Sequence, residues 1–104
     1  MSEKEKIQNL LVDVAKLLRE RGIERDYFKT DVDTGPLTIH EAMSLLSNGD
    51  RKLYLGTHER LCRYITHIKG RNQGWVSMWV RDEPNDKVIC NHILTLASNI
   101  GRYA

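Results

Sequence analysis

The fold is decided first by residues 2–22, which read SEKEKIQNLLVDVAKLLRERG. Ser2 followed by Glu5 is typical of a capping box at the start of a helix. Gly22 is a natural stop at the other end. Between them, apolar residues recur three or four positions apart, and these are Ile7, Leu10, Leu11, Val14, Leu17 and Leu18. This spacing predicts a first helix with one apolar face.

Three more segments carry the same helical signals. Thr38 and Glu41 form a second capping box ahead of a short helix that ends near Gly49. Thr57 is predicted to cap a third helix that ends at Gly70. A fourth helix begins at residue 85 or 86, and its apolar face consists of Ile89, Cys90, Ile93, Leu96, Ala97 and Ile100. The predicted fold class is therefore mainly α, a compact bundle of about four helices.

Two segments lack helical periodicity. Residues 23–37 contain Asp, Thr, Gly and Pro, which predicts a long ordered loop after the first helix, held to the core by Tyr27 and Phe28. Residues 75–80 read WVSMWV and suggest a short extended segment, for which residues 52–55 are the one candidate partner. In this segment Trp79 is expected to belong to the core.

Length and composition limit the class of protein. A chain of 104 residues predicts a single domain over 1–104 with its own core. Sixteen basic and fourteen acidic residues give a net charge of +2, which does not suggest a general nucleic-acid binder. The two cysteines lie in apolar segments and the N-terminus lacks a signal-peptide pattern, so we expect reduced thiols and a cytoplasmic protein. No apolar run is long enough to span a bilayer, and we expect no membrane association.

Metal and catalytic signatures are weak. His58 and Cys62 lie one turn apart on the third helix, but His67 is about 180° from His58 around it. The default interpretation of Cys62 and Cys90 is that of small core residues, with no metal and no cofactor. Nothing in the spacing joins a nucleophile to a base, so the sequence favours a binding protein over an enzyme. His40 is expected to be a surface residue without structural weight.

The third helix carries a basic stripe. Arg60, Arg63 and His67 share one face, and guanidinium groups suit phosphate or carboxylate. The leading hypothesis is a non-enzymatic binding module for an anionic ligand, either a nucleotide or a nucleic-acid segment. The predicted ligand-binding residues are Arg60, Arg63, Tyr64, His67, Lys69, Arg71 and Trp75. The simpler interpretation is that Glu59 pairs with Arg63 on an ordinary solvated surface.

A second hypothesis is a protein–protein interaction module that docks through the Trp75 region. Such a module would be a small inhibitor, including one encoded by a phage, or an accessory subunit of a larger assembly. Tryptophan is enriched at the energetic centres of protein interfaces. Homo-oligomerisation is compatible with either hypothesis.

Three segments resemble a small family of uncharacterised bacterial and phage-encoded proteins. They read AKLLRERG at 15–22, GPLTIHEA at 35–42 and MWVRDEPNDKVI at 78–89. Together they cover about a quarter of the chain. The resemblance implies no activity for the protein.

Overall fold

The computed structural model describes residues 2–27, 33–70 and 75–103. Within these ranges the chain forms five α-helices and one short 3₁₀-helix, and no strand beyond an isolated parallel bridge between Ile23 and Leu37. The elements are α1 (Glu3–Arg21), α2 (Ile39–Ser47), α3 (Arg51–Lys69), α4 (Val76–Asp82), α5 (Asp86–Ser98) and the 3₁₀-helix (Ile100–Arg102). The mainly helical class is confirmed, with one helix more than predicted. None of the described helices is both long and apolar enough to cross a membrane.

Helix α1 is the centre of the packing. Its N-terminus is capped by the Ser2 hydroxyl, which accepts a hydrogen bond from the backbone N–H of Glu5 at 3.2 Å. Gly22 ends the helix with φ at +87°, a conformation that glycine adopts without steric cost. The apolar face of α1 is buried against α5, α2 and α3. The predicted stripe is therefore the face that organises the core.

Helix α3 begins earlier than predicted, at Arg51 instead of near Thr57. The Asp50 side chain caps it by accepting a hydrogen bond from the backbone N–H of Leu53 at 3.0 Å. Thr57 lies inside the helix, fully buried, and donates its hydroxyl to the Leu53 carbonyl at 2.8 Å. Residues 52–55 are therefore helical and cannot pair with an extended segment.

The predicted extended segment at 75–80 is wrong, because this stretch forms most of α4. Val76, Trp79 and Val80 are all buried, and their spacing of i, i+3 and i+4 is that of a helical face. An extended segment would have had no strand to pair with in the described chain. Trp79 is 4% exposed, so its predicted place in the core is confirmed.

The ends of the loop after α1 are held by the backbone and by one arginine. Glu24 N–H donates to the Leu37 carbonyl at 2.9 Å, which ties the two ends of the loop together. The Arg25 guanidinium donates to the Val80 carbonyl at 3.0 Å and pairs with Asp86 at 2.8 Å. These contacts fix the loop ends beside α4 and α5. Phe28, predicted to pin the loop, lies outside the described residues.

Candidate functional site

The predicted basic stripe is present on α3, but its guanidinium groups have partners within the protein. Arg63 pairs with Glu59 and also donates to the Tyr103 carbonyl at 3.2 Å. Arg60 donates to the Gly56 carbonyl at 3.2 Å and lies 4.0 Å from a Glu59 oxygen. A ligand on this face would have to compete with these contacts.

The other predicted residues of the stripe are spread over different environments. Tyr64 is 4% exposed and forms a 2.6 Å hydrogen bond with Nδ1 of His92, so it belongs to the core and does not face solvent. His67 is exposed, with its ring edge against Tyr103. Lys69 is exposed at the end of α3, and Arg71 lies outside the described residues.

A cavity of about 650 Å³ opens beside Trp75 and away from this stripe. Seven residues from α2, α3, the start of α4 and the loop after α1 line it: Tyr27, His40, His58, Cys62, Trp75, Val76 and Ser77. Its volume lies within the range of small-molecule sites, which are mostly apolar with a few polar groups. Of the residues predicted to bind a ligand that the structure describes, Trp75 is the one that lines the cavity.

The polar side chains of the cavity form a continuous chain of contacts. The Tyr27 hydroxyl lies 2.5 Å from Nδ1 of His40, and Nε2 of His40 lies 3.1 Å from Nε2 of His58. The Cys62 sulfur lies 3.8 Å from Nδ1 of His58 and 3.9 Å from its Nε2. We call these four residues the Tyr–His–His–Cys chain.

Local structure explains how these side chains meet. The capping box of Thr38 and Glu41, with both reciprocal hydrogen bonds formed, fixes the start of α2 and with it His40 two residues later. His58 and Cys62 are four residues apart on α3, so they are neighbours on one helical face. The packing of α2 against α3 then brings His40 to His58.

All four members of this chain are held in their neutral forms. Burial lowers the pKa of His40, and the neighbouring His58 lowers it further. Burial also lowers the pKa of His58. Burial, followed by Tyr54 and Glu41, raises the pKa of Tyr27 to about 12. Burial, followed by Glu59, raises the pKa of the Cys62 thiol. Clustered shifts of this kind within one cavity are typical of functional sites.

Positive charge lies next to the cavity. A shallower groove of about 450 Å³ shares Tyr27 and Ser77 with it and is also bordered by Arg25 and Arg81. The Arg25 guanidinium is committed to backbone carbonyls and to Asp86. Arg81 is exposed and forms no ion pair within the described part of the chain.

No group of three or more His, Cys, Asp or Glu side chains in the described ranges is arranged to hold a metal ion. His58 and Cys62 are neighbours, as their spacing predicts. His40 adds a second imidazole beside them, in hydrogen-bond contact with His58.

Sequence reasoning missed three cavity residues, namely Tyr27, His40 and Ser77, as parts of a site. His40 was expected to be an inert surface residue, and this is wrong, because it is half-buried and bonded on both ring nitrogens. No spacing rule links His40 to a residue eighteen positions away on another helix. The signals in the sequence that pointed here were Trp75 and the predicted adjacency of His58 and Cys62 on α3.

No protein-family model matches the chain, and neither the curated proteins nor the solved structures include a significant match to it. The resemblance of the three segments to uncharacterised bacterial and phage-encoded proteins stays a prediction.

Proposed function

We propose that the protein is a small binding module for a planar anionic ligand of the nucleotide class, with the ring in the cavity beside Trp75. The observation that carries this proposal is the combination of an aromatic-lined cavity of about 650 Å³ with Arg81 in the adjoining groove, where it has no ion pair among the described residues. The ligand class is the one that the sequence favoured, but the proposed site lies elsewhere on the molecule.

Trp75 supplies the stacking surface. Its side chain is 69% exposed and lines the cavity, so an indole face is accessible to a ligand ring. Stacking of a base on an aromatic side chain contributes about 1 to 3 kcal/mol. Tyr27 and the imidazoles of His40 and His58 border the same space and offer further ring surface.

The polar groups of the cavity suit the edge of a heterocycle. The neutral imidazole of His58 can accept or donate a hydrogen bond, depending on its tautomer. The Ser77 hydroxyl lines both the cavity and the adjoining groove, where it can serve either the ring or the group attached to it. A few such groups in an apolar cavity orient a ligand without adding net charge.

The anionic group is assigned to Arg81 and not to the α3 stripe. Arg60, Arg63 and His67 lie about 100 to 180° around the helix from His58 and Cys62. None of the three is among the described residues that line the cavity. A charge-assisted contact from an exposed guanidinium to phosphate needs no existing ion pair to be broken.

The test is equilibrium binding of nucleoside monophosphates, measured by quenching of Trp75 fluorescence and by thermal shift. Trp75→Ala and Arg81→Gln should each weaken binding by about 5- to 150-fold, the equivalent of about 1 to 3 kcal/mol per contact. The matched control is the Arg60→Gln, Arg63→Gln double variant, which should bind like the parent. Weakened binding in this control, with normal binding in Arg81→Gln, would return the site to the α3 stripe.

A protein partner at the same surface is the second candidate. Met78 is 44% exposed and lies one helical turn after the exposed Trp75, an arrangement that suits an apolar interface. Salt separates the two candidates, because contacts to phosphate weaken as ionic strength rises and an aromatic interface changes much less. Met78→Ala should impair binding of a protein partner but leave nucleotide affinity unchanged, since Met78 does not line the cavity.

A further inference from the structure

We propose that Cys62 is a nucleophile that takes an acyl group from an activated ester or thioester, and that His58 is its general base. This inference rests on the cavity of the proposed function but not on the identity of the ligand bound there. It assigns the Tyr–His–His–Cys chain a chemical role.

The arrangement has the three parts that nucleophilic catalysis needs. The Cys62 sulfur is the nucleophile, and a His58 ring nitrogen 3.8 Å away lies within hydrogen-bond range of sulfur. His40 orients His58 through the 3.1 Å contact between their Nε2 atoms. Tyr27 in turn holds Nδ1 of His40. A nucleophile, a base and a group that orients the base is the general pattern of such sites.

If the Cys62 thiol is a donor, the donors and acceptors of this chain can be assigned in one consistent order. Cys62 S–H donates to Nδ1 of His58, and His58 Nε2–H donates to Nε2 of His40. His40 Nδ1–H then donates to the Tyr27 oxygen. Each imidazole carries one proton in this order, as expected for two neutral histidines. This order leaves Nδ1 of His58 unprotonated. Because the sulfur lies 3.8 Å from Nδ1 and 3.9 Å from Nε2, the ring has to rotate to point Nδ1 at the thiol.

The acylation step balances without any outside reagent. As the sulfur attacks the carbonyl carbon, the thiol proton passes to Nδ1 of His58 and a tetrahedral intermediate forms. Its collapse breaks the bond to the leaving alcohol or thiol, which takes the proton from His58. The products are a Cys62 thioester and the free alcohol or thiol. Water, deprotonated by the same imidazole, then hydrolyses the thioester to a carboxylic acid and restores the thiol.

The electrostatics explain why a base is needed. Because burial raises the pKa of Cys62, the resting group at neutral pH is a thiol and not a thiolate. Burial lowers the pKa of His58, so its imidazole is neutral and able to accept the proton. The neighbouring charged group on the same helix is Glu59, whose carboxylate disfavours the thiolate further. Both shifts disfavour a resting thiolate–imidazolium pair, so the proton has to pass to His58 as the sulfur attacks the carbonyl.

The second cysteine provides an internal control. Cys90 is 1% exposed in the core and does not line the cavity. Burial raises its pKa as well, but no histidine contact to its sulfur is present among the described residues. If Cys62 reacted only through the ordinary reactivity of a thiol, its reaction would not depend on His58.

The experiment treats the full chain with p-nitrophenyl acetate, follows release of nitrophenolate, and locates the acetyl group by peptide mass spectrometry. We expect acetylation of Cys62 and not of Cys90, loss of the reaction in Cys62→Ala, and no change in Cys90→Ala. His58→Gln should slow acetylation on the order of 100-fold, the size of a general-base effect. Equal rates in the parent and His58→Gln, or equal acetylation of both cysteines, would overturn the proposal.

Two further measurements keep the test decisive. If His58→Gln does not fold by circular dichroism, the pH dependence of Cys62 acetylation in the parent replaces it. A rise that follows an imidazole titration below pH 7 supports the proposal, whereas one that follows a thiol above pH 8 contradicts it. Nucleotide binding is measured separately, so acetylation that depends on His58 without any nucleotide affinity would refute the proposed ligand class and leave the nucleophile standing.

Discussion

Replacing His40 with Ala tests whether the Tyr–His–His–Cys chain stabilises the fold. The imidazole contacts Tyr27 at 2.5 Å and His58 at 3.1 Å, and each hydrogen bond contributes about 0.5 to 1.5 kcal/mol. Loss of both amounts to about 1 to 3 kcal/mol. Alanine is the better helix former and returns up to about 0.7 kcal/mol. The net loss should therefore be about 1 to 2 kcal/mol.

The assay is urea and thermal unfolding followed by circular dichroism at pH 8, where both imidazoles are neutral. A loss of this size should lower Tm by about 4 to 16 °C in a domain of this length. Ser44→Ala, at an exposed position one turn further along α2, is the matched control and should change stability by less than about 0.5 kcal/mol. A double-mutant cycle of His40→Ala with His58→Ala should give a coupling of about 0.5 to 1.5 kcal/mol. Coupling near zero, or a His40→Ala variant as stable as Ser44→Ala, would refute the chain as a structural unit.

Three more predictions concern the core, pH and metal. Ile93 is 0% exposed, so Ile93→Ala should lower the free energy of unfolding by about 2 to 5 kcal/mol. An unchanged urea midpoint would mean that this face of α5 is not buried in the core. Because the folded-state pKa values of His40 and His58 are lowered, the protein should have its full stability above about pH 6.5 and lose stability as the pH falls through those lowered values. In a variant that lacks both rings this loss should be smaller. Solvent exposure reduces the size of this effect. Treatment with a chelator should leave Tm unchanged, and a drop of more than about 5 °C would point to a metal held by His58 and Cys62.

The secondary structure was largely readable because helix signals are local. Capping residues and apolar spacing placed α1, α2 and α5 correctly, since a cap bonds to a backbone group three residues away and a stripe repeats within two turns. The start of α3 was predicted wrongly because Asp50 and Thr57 are both suitable N-cap residues. In the structure Asp50 caps the helix and Thr57 is buried inside it. Residues 75–80 are too few for apolar spacing to distinguish a strand from a helix. The packing of Trp79 in the core favours the helix.

Much less of the candidate site could be predicted from the sequence. The neighbours His58 and Cys62 followed from helical spacing, and the pair of Glu59 with Arg63 followed in the same way. The contact of Arg60 with the Gly56 carbonyl also lies within one helical turn, but the contact of Arg63 with the Tyr103 carbonyl joins residues forty positions apart and follows from no spacing rule. The basic residues lie on α3 as predicted, but these contacts occupy the guanidinium groups of Arg60 and Arg63 within the protein.

By itself, the sequence determined α1, α2 and α5 with their buried faces, because caps and apolar periodicity act within a few residues. The tertiary structure alone decided which polar groups meet. His40 and His58 lie on different helices, and their contact exists because α2 packs on α3 beneath the loop that carries Tyr27. The cavity beside Trp75 arises from the same packing, since it is space that three helices and a loop leave between them, and no single segment encodes it.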